Sequence, residues 1–377
     1  MLFAVISFFS ILISAKTAIA VPGISDVSGD IGNGLQITVN GYGFKTKTQP
    51  APVSWNNFEA QNLGEHAPAG WTAKDYTYGL VSNSDSHSGA KSLQFDVTGD
   101  EWNQISRDFG ESDVFYLSAW HKLVKRDTNN QFQWKMWYVS SSSGVYALNE
   151  EPTTTHYSQY GWWSGTYPAY YDPLNNKFGW NNNSFFFAYD GGTYGAILSA
   201  TRDTYPDLNQ WFRMETVIIR SSGPLAMDGK MLLYVNGRLK RTITDAITHD
   251  DNDGRWRYVM INNAFCSYLD AAQIETHVAD LTLYMDDLYV DTSQSRVELG
   301  DSPEWDSCTH REIQIPVAWS DSSVMVIFNQ GSFNAGDTAY IYIVDDDGNV
   351  NSNGYSITIG DSSGSNPPAA PTGLIAN

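Results

Sequence analysis

Apolar and polar residues alternate at period two along much of this chain, and long runs at the helical period are missing. Ser92-Leu-Gln-Phe-Asp-Val97, Phe115-Tyr-Leu-Ser-Ala-Trp-His-Lys-Leu123 and Gln131-Phe-Gln-Trp-Lys-Met-Trp-Tyr-Val139 read as strands with two distinct faces. Further strands are predicted over Ser184–Tyr189, Trp211–Arg220, Lys230–Val235, Arg257–Asn262 and Leu281–Val290. Ser-Gly at 88–89, Gly-Gly at 191–192, Asp-Gly at 228–229 and Asn-Gly at 236–237 separate them. Many short strands divided by such turns indicate an all-β sandwich or barrel. Val235-Asn-Gly-Arg238 is a hairpin signal, because Asn-Gly suits a type I′ turn.

The ends of the chain carry related patterns. Pro22-Gly-Ile24 and Gly34-Leu-Gln-Ile-Thr-Val-Asn-Gly-Tyr-Gly-Phe44 predict strands near the start; Val324–Phe328, Tyr340–Val344 and Ser356–Ile359 predict strands near the end. The intervening segment is far too long for a loop, so the pattern predicts a large domain spliced into a small one. Residues 149–183 are rich in Tyr, Trp, Gly, Pro and Asn without a clear period, and read as a long irregular, functional loop. The tail 361–377 is Ser/Gly/Asn/Pro-rich and reads as flexible.

Leu2–Ser14 is almost unbroken apolar sequence, too short to span a bilayer, and Ala18-Ile-Ala20 supplies a small-x-small cleavage pattern. Residues 1–20 are therefore expected to be an export signal, with a secreted, cell-surface or periplasmic product that is not inserted in a membrane after cleavage. Acidic residues number 42 against 22 Lys and Arg, a formal net charge of −20, which disfavours phosphate backbones as partners and so excludes nucleic acid as an expected ligand. The two cysteines, Cys266 and Cys308, leave both a disulfide and two separate thiols open, and are too few for a Cys-based metal site. No Gly-x-Ser-x-Gly elbow, P-loop, dinucleotide fingerprint or His-Glu-x-x-His motif is present.

The terminal pieces, with Pro22, Ile24, Gly29 and Gly41-Tyr-Gly-Phe44 opening and Gly336, Asp347-Gly348 and Ser356–Ile359 closing, resemble the immunoglobulin-like IPT/TIG fold. The central part resembles the concanavalin-like jelly rolls of carbohydrate-binding modules and polysaccharide lyases. Asn57-Phe-Glu59 with Gly70-Trp71, His87-Ser-Gly-Ala-Lys-Ser-Leu93 and Tyr284-Met-Asp-Asp-Leu-Tyr-Val290 carry that likeness. The expected architecture is a jelly-roll sandwich inserted into a small Ig-like sandwich. Its divisions are 1–20 signal, 21–53 first Ig-like half, 54–300 jelly roll, 301–360 second half and 361–377 tail. The jelly-roll resemblance also implies a structural calcium held by Glu59 and by Asp286 or Asp287, with carbonyls near Ser88–Lys91 completing a hard oxygen shell.

Strand alternation supplies a candidate ligand face. On 131–139, Phe132, Trp134, Met136 and Tyr138 read as core, whereas Gln133, Lys135 and Trp137 read as the outward set. On 211–219, Phe212, Met214, Thr216 and Ile218 form one set; Arg213, Glu215 and Val217 form the other. If the two polar sets share a concave sheet, they line a groove in which aromatic faces and planar polar groups bind sugars, with Trp162 and Trp163 contributed by the aromatic loop. A cross-strand ion pair without a ligand is the competing reading of Arg213, Lys135 and Glu215. The leading expectation is an exported polysaccharide-binding protein. A jelly-roll polysaccharide lyase using Lys135, Arg213, His156 and Tyr157 for carboxylate neutralisation and proton transfer is the alternative. A structural or adhesive surface protein without a sugar site is the third. Of the Arg-x-Glu, Gln-Ile-His and Tyr-x-Lys motifs of alginate-lyase-type jelly rolls, only Arg213-Met-Glu215 is present.

Overall fold

In a computed structural model, the structure describes residues 21–73, 79–98, 105–126, 132–141, 159–164, 169–172, 177–180, 183–189, 192–194, 209–224, 226–246, 248, 254–269, 275–277 and 280–360. Among these, regular structure is strand apart from one short 3-10 turn at Trp305–Ser307. In chain order the strands open with β1 (Gly23–Ser28), β2 (Gln36–Tyr42), β3 (Ser54–Asn56), β4 (Thr72–Ala73), β5 (Gly79–Ser82), β6 (Ser92–Thr98), β7 (Ile105–Ser112), β8 (Val114–Lys125) and β9 (Phe132–Ser141). They continue with β10 (Gln159–Ser164), β11 (Ala169–Asp172), β12 (Lys177–Trp180), β13 (Asn183–Tyr189), β14 (Gly192–Tyr194), β15 (Phe212–Ile219), β16 (Gly229–Val235), β17 (Arg238–Ala246) and β18 (Trp256–Leu269). The last are β19 (Glu275–His277), β20 (Asp280–Asp291), β21 (Arg296–Gly300), β22 (Arg311–Ile313), β23 (Ile315–Trp319), β24 (Ser323–Ile327), β25 (Thr338–Val344) and β26 (Tyr355–Thr358).

Two four-stranded sheets, β1-β2-β24-β23 and β22-β21-β25-β26, form the smaller sandwich. Strand β2 pairs antiparallel with β24, Ile37 opposite Val326, so backbone bonds join positions almost 300 residues apart. The alternate residues Ile37, Val39, Val297, Leu299, Val324, Val326, Ile341 and Ile343 fill one core between these sheets. Residues from both ends of the chain thus bury the same apolar surface, which no local segment could do alone.

The larger sandwich stacks the sheet β14-β13-β10-β9-β18-β7-β4 on the sheet β17-β16-β15-β8-β20-β6-β5, with β19 beside β18 and β3 beside β20. Its core takes one parity of each central strand: Phe115, Leu117 and Ala119 from β8, Phe212, Met214 and Ile218 from β15, Trp137 and Val139 from β9, Val259 and Ile261 from β18. This is the all-β jelly-roll sandwich architecture. The Asn236-Gly237 turn has φ of 48° and 70°, the doubly left-handed geometry of the I′ hairpin, with Val235 opposite Arg238. Gly237 is required for a second reason: a Cβ there would lie 2.4 Å from the Arg311 guanidinium of the smaller sandwich.

Two expectations about the elements are corrected. The segment 149–183, read as irregular, contains β10, β11 and β12. Gly, Pro and Asn interrupt its alternation into pieces of four to six residues, too short to show a period. The boundary drawn at 300 falls too late. Strand β21 pairs with β22 and β25, and its Val297 and Leu299 sit in the smaller core. Only residues 292–295 separate β20 from β21, a connection too short to mark a domain boundary in the sequence.

Where the chain crosses between sandwiches it is pinned. The Lys47 ammonium, 1% exposed, lies 2.5 Å from the equally buried Asp291 carboxylate and 5.5 Å from the Trp319 ring centre. The Trp319 indole N–H donates to the Lys45 carbonyl at 3.0 Å. Among the described residues no helix is long and apolar enough to cross a membrane. Cys308 is a free, buried thiol, with its Sγ 3.8 Å from the Tyr342 hydroxyl.

Candidate functional site

The polar set of β15 faces away from the core, as its alternation predicts, but that face is not an open groove. Arg213 and Glu215 are 1% and 2% exposed, covered by β21 and β22 of the smaller sandwich. Arg213 uses its whole guanidinium: Nε donates to Ser118 Oγ at 2.8 Å, Nη1 to Glu298 Oε2 at 2.9 Å and the Arg311 carbonyl at 3.0 Å, and Nη2 to Glu215 Oε1 at 3.0 Å and the Tyr116 hydroxyl at 3.3 Å. Tyr116 in turn donates to Glu215 Oε1 at 2.7 Å. Arg296 binds Glu298 Oε1 and stacks its guanidinium 4.9 Å from the Tyr116 ring centre; Arg311 lies 3.5 Å over Trp305. An apolar patch of Tyr116, Val217, Tyr289 and Ile313 flanks the network.

Burial alone would disfavour ionised Glu298, but Arg213, Arg296 and Arg311 overcome it and bring the carboxyl down to about 2. Desolvation likewise opposes the Arg213 charge, and Glu215 and Glu298 more than restore it. The network is a joint between two bodies, built around Arg213 and Glu215, two of the residues expected in a sugar groove, and it contains the ion pair of their competing reading.

Trp137 is the second correction. It is 1% exposed in the core of the larger sandwich, beside Val139, so it does not line an open surface. The proposed constellation is also divided between sheets: Gln133 and Lys135 are on β9, Arg213 and Glu215 on β15 of the opposing sheet. What the backbone does bring together is β9 and β10. Trp163 pairs with Lys135, which pairs on its other side with Ala264; Trp162 pairs with Trp137, and Gln133 with Cys266. His156 and Tyr157 lie outside the described residues.

Glu59, Asp286 and Asp287 all meet the 87–91 loop. Glu59 Oε1 accepts the backbone N–H groups of Ala90 and Lys91, each at 2.7 Å. Asp286 Oδ2 accepts those of His87 and Ser88 at 2.9 and 3.2 Å, and the Ser88 hydroxyl donates to Asp287 Oδ2 at 3.1 Å. A bulge in β20, with Asp287 at φ 48°, turns both aspartates into the protein. Burial, then the neighbouring charge of Asp287, raises Asp286 well above the carboxylate range; burial and then Glu312 push Asp287 up to about 7. Two adjacent buried carboxylates short of positive charge suit a hard cation. The Glu59 side fits less well, because the Lys91 ammonium already occupies the Glu59 and Gln61 carbonyl oxygens at 2.9 and 2.7 Å.

Sequence reasoning missed a further group beside these acids. His87 Nε2 and His310 Nε2 lie 2.7 and 2.8 Å from Glu312 Oε1. The other oxygen of Glu312 accepts the Trp120 indole N–H at 3.1 Å, and the His87 ring stacks on Trp120 with centroids 3.6 Å apart. Burial opposes the Glu312 charge, but His87 and the His310 hydrogen bond hold its carboxyl well below the usual range. The available signal was His310-Arg-Glu312, two ligand-type residues at period two. Its partner His87 is 223 positions away, so spacing could not reveal the third member.

No family model matches the chain, and no curated protein matches it. Among solved structures, the chain is similar to an endo-beta-1,4-glucuronan lyase from the fungus Trichoderma reesei, at 11% identity and a TM-score of 0.42, over 62% of this chain and 95% of that one. It is similar to the marine PL-14 alginate lyase from Aplysia kurodai at 10% identity and a TM-score of 0.40, over 57% and 87%. An alginate lyase from Chlorella virus matches at 10% identity and a TM-score of 0.34, over 56% and 88%.

Proposed function

We propose that this chain is an exported polysaccharide-binding protein whose ligand surface belongs to the sheet containing β9 and β10. The observation that carries the reading is the pairing of Trp163 with Lys135 in the interior of that sheet, on the far side of a register break that separates them from the Trp162–Trp137 pair and its core parity. Tryptophan and lysine are residue types that recognise sugar C–H faces and acidic or hydroxyl substituents, and the backbone register sets these two at paired positions. The sequestration of Arg213 and Glu215 removes the guanidinium expected to neutralise a uronate, and this favours binding over β-elimination. The smaller sandwich, on this reading, is an IPT/TIG-type domain divided by insertion of the jelly roll.

A glycan array probed with the mature protein, followed by incubation of any retained polymer, separates the alternatives. The expected result is retention without release of an unsaturated, ultraviolet-absorbing product. Such a product would establish a lyase, and absence of both retention and product would favour a structural or adhesive role.

Calcium at Asp286 and Asp287, with Glu59 steadying the facing loop, belongs to the same proposal. The thermal midpoint should rise on adding calcium to chelator-treated protein, and Asp287→Asn should abolish the rise. Equal midpoints with calcium and with chelator would remove the ion from the account.

A further inference from the structure

We propose that His87, His310 and Glu312 form a transition-metal site, of the class that takes zinc, and that the bound ion clamps the two sandwiches together. His87 comes from the loop before β6 in the larger sandwich, while His310 and Glu312 come from the start of β22 in the smaller one. Their three ligand atoms all lie within 4.8 Å of one another. Two imidazole nitrogens and one carboxylate oxygen are a donor set that suits zinc and not calcium or magnesium.

Three observations make this more than a hydrogen-bonded cluster. First, Glu312 Oε1 is oversubscribed. Besides the two imidazoles, it is approached by the Ser332 backbone N–H at 3.1 Å and the Ser332 hydroxyl at 3.2 Å. A carboxylate oxygen has lone pairs for about two strong donors, so four convergent contacts mark a point where one cation would serve better. Second, the ligands are oriented by groups behind them. Trp120 holds the second oxygen of Glu312 through its indole N–H and holds the His87 plane by stacking, and Phe333 packs edge-on to His310 with centroids 5.0 Å apart. Such outer contacts fix ligand direction in metal sites. Third, a fourth position exists. The Ser332 hydroxyl is 3.0 Å from His310 Nε2, and Ser332 is exposed, so a water or that hydroxyl completes a tetrahedron and ions can enter from this side. Tetrahedral bonds near 2.0 Å require all three separations to be about 3.3 Å, so the nitrogen–oxygen distances of 2.7 and 2.8 Å open slightly and the two imidazole nitrogens, within 4.8 Å of each other, settle to the same spacing.

The test uses the mature chain, stripped with chelator and kept in excess calcium so that hard-cation sites are filled. Titration with zinc should show one equivalent bound, with a thermal midpoint that rises with free zinc. Cobalt should give an intense visible d–d absorption typical of a tetrahedral site. His310→Ala, at the more exposed ligand, should weaken zinc binding by about 100-fold or more and remove the cobalt band. His87→Ala should do the same where it folds; His310→Ala keeps the test valid where it does not. Absence of a stoichiometric equivalent, or His310→Ala binding zinc and giving the cobalt spectrum as wild type does, would overturn the proposal.

Discussion

Glu298→Gln should destabilise the protein by about 3–5 kcal/mol, because it leaves Arg213 and Arg296 buried without their shared carboxylate. For a chain of 377 residues unfolding as one unit that corresponds to a fall in thermal midpoint of roughly 4–6 °C. Glu298 receives Arg213 on one oxygen and Arg296 on the other, with Arg311 Nε 3.7 Å away, and is fully buried. The amide keeps the shape and loses the charge, so the change reports the electrostatic joint and not a cavity. The acid limb adds a second readout. Glu298 has a folded value of about 2 against an ordinary 4.5, so it binds fewer protons folded than unfolded between these values. Its stabilisation is complete above pH 4.5 and is lost as the pH falls towards 2. The variant should therefore show a shallower decline of stability across that window. Denaturant unfolding at several pH values measures both effects; a variant as stable as wild type would show that the joint contributes nothing.

Trp137→Ala should cost about 3–5 kcal/mol, the usual loss when a large aromatic leaves a packed interior. Trp137 is among the largest fully buried side chains, within the cluster that includes Val139, Val259 and Ile261. The midpoint of chemical denaturation measures the loss. Its folded fraction should keep wild-type glycan retention, since the indole does not line a surface. A stable variant that no longer binds glycan would restore Trp137 to the ligand face.

That second prediction reverses what alternation alone suggests, and the reason is instructive. Phe132, Trp134, Met136 and Tyr138 share one parity and suggest that face as core, but the register breaks between Lys135 and Trp137, so the phase read from 132–136 does not carry to Trp137. The phase was legible one residue further on, where Val139 continues the parity of Trp137 and not that of Tyr138. On β15 the phase is clear, with Phe212, Met214 and Ile218 against Arg213 and Glu215, and the alternation sorted these residues correctly. What could not be read there is what lies over the polar face. A strand sequence records that a surface is polar, not whether water, sugar or a second domain covers it. The pairing of β2 with β24 followed from complementary patterns at the two ends of the chain, whereas the meeting of His87 with His310 and Glu312 depends on how the sandwiches dock. Docking is set by the summed fit of distant surfaces and leaves no periodic trace. Lys47 and Asp291 illustrate the same point, each an unremarkable charge in sequence and a buried pair in the fold.

The central claim is that ligand recognition belongs to the β9–β10 side and the β15 polar set belongs to the joint. Affinity electrophoresis of wild type, Lys135→Ala and Trp163→Ala through gels containing the retained polysaccharide addresses it directly, with each unfolding midpoint measured alongside. The account predicts that both substitutions reduce retardation while leaving the midpoint near wild type. Undiminished retardation in both, with the protein folded, would contradict it.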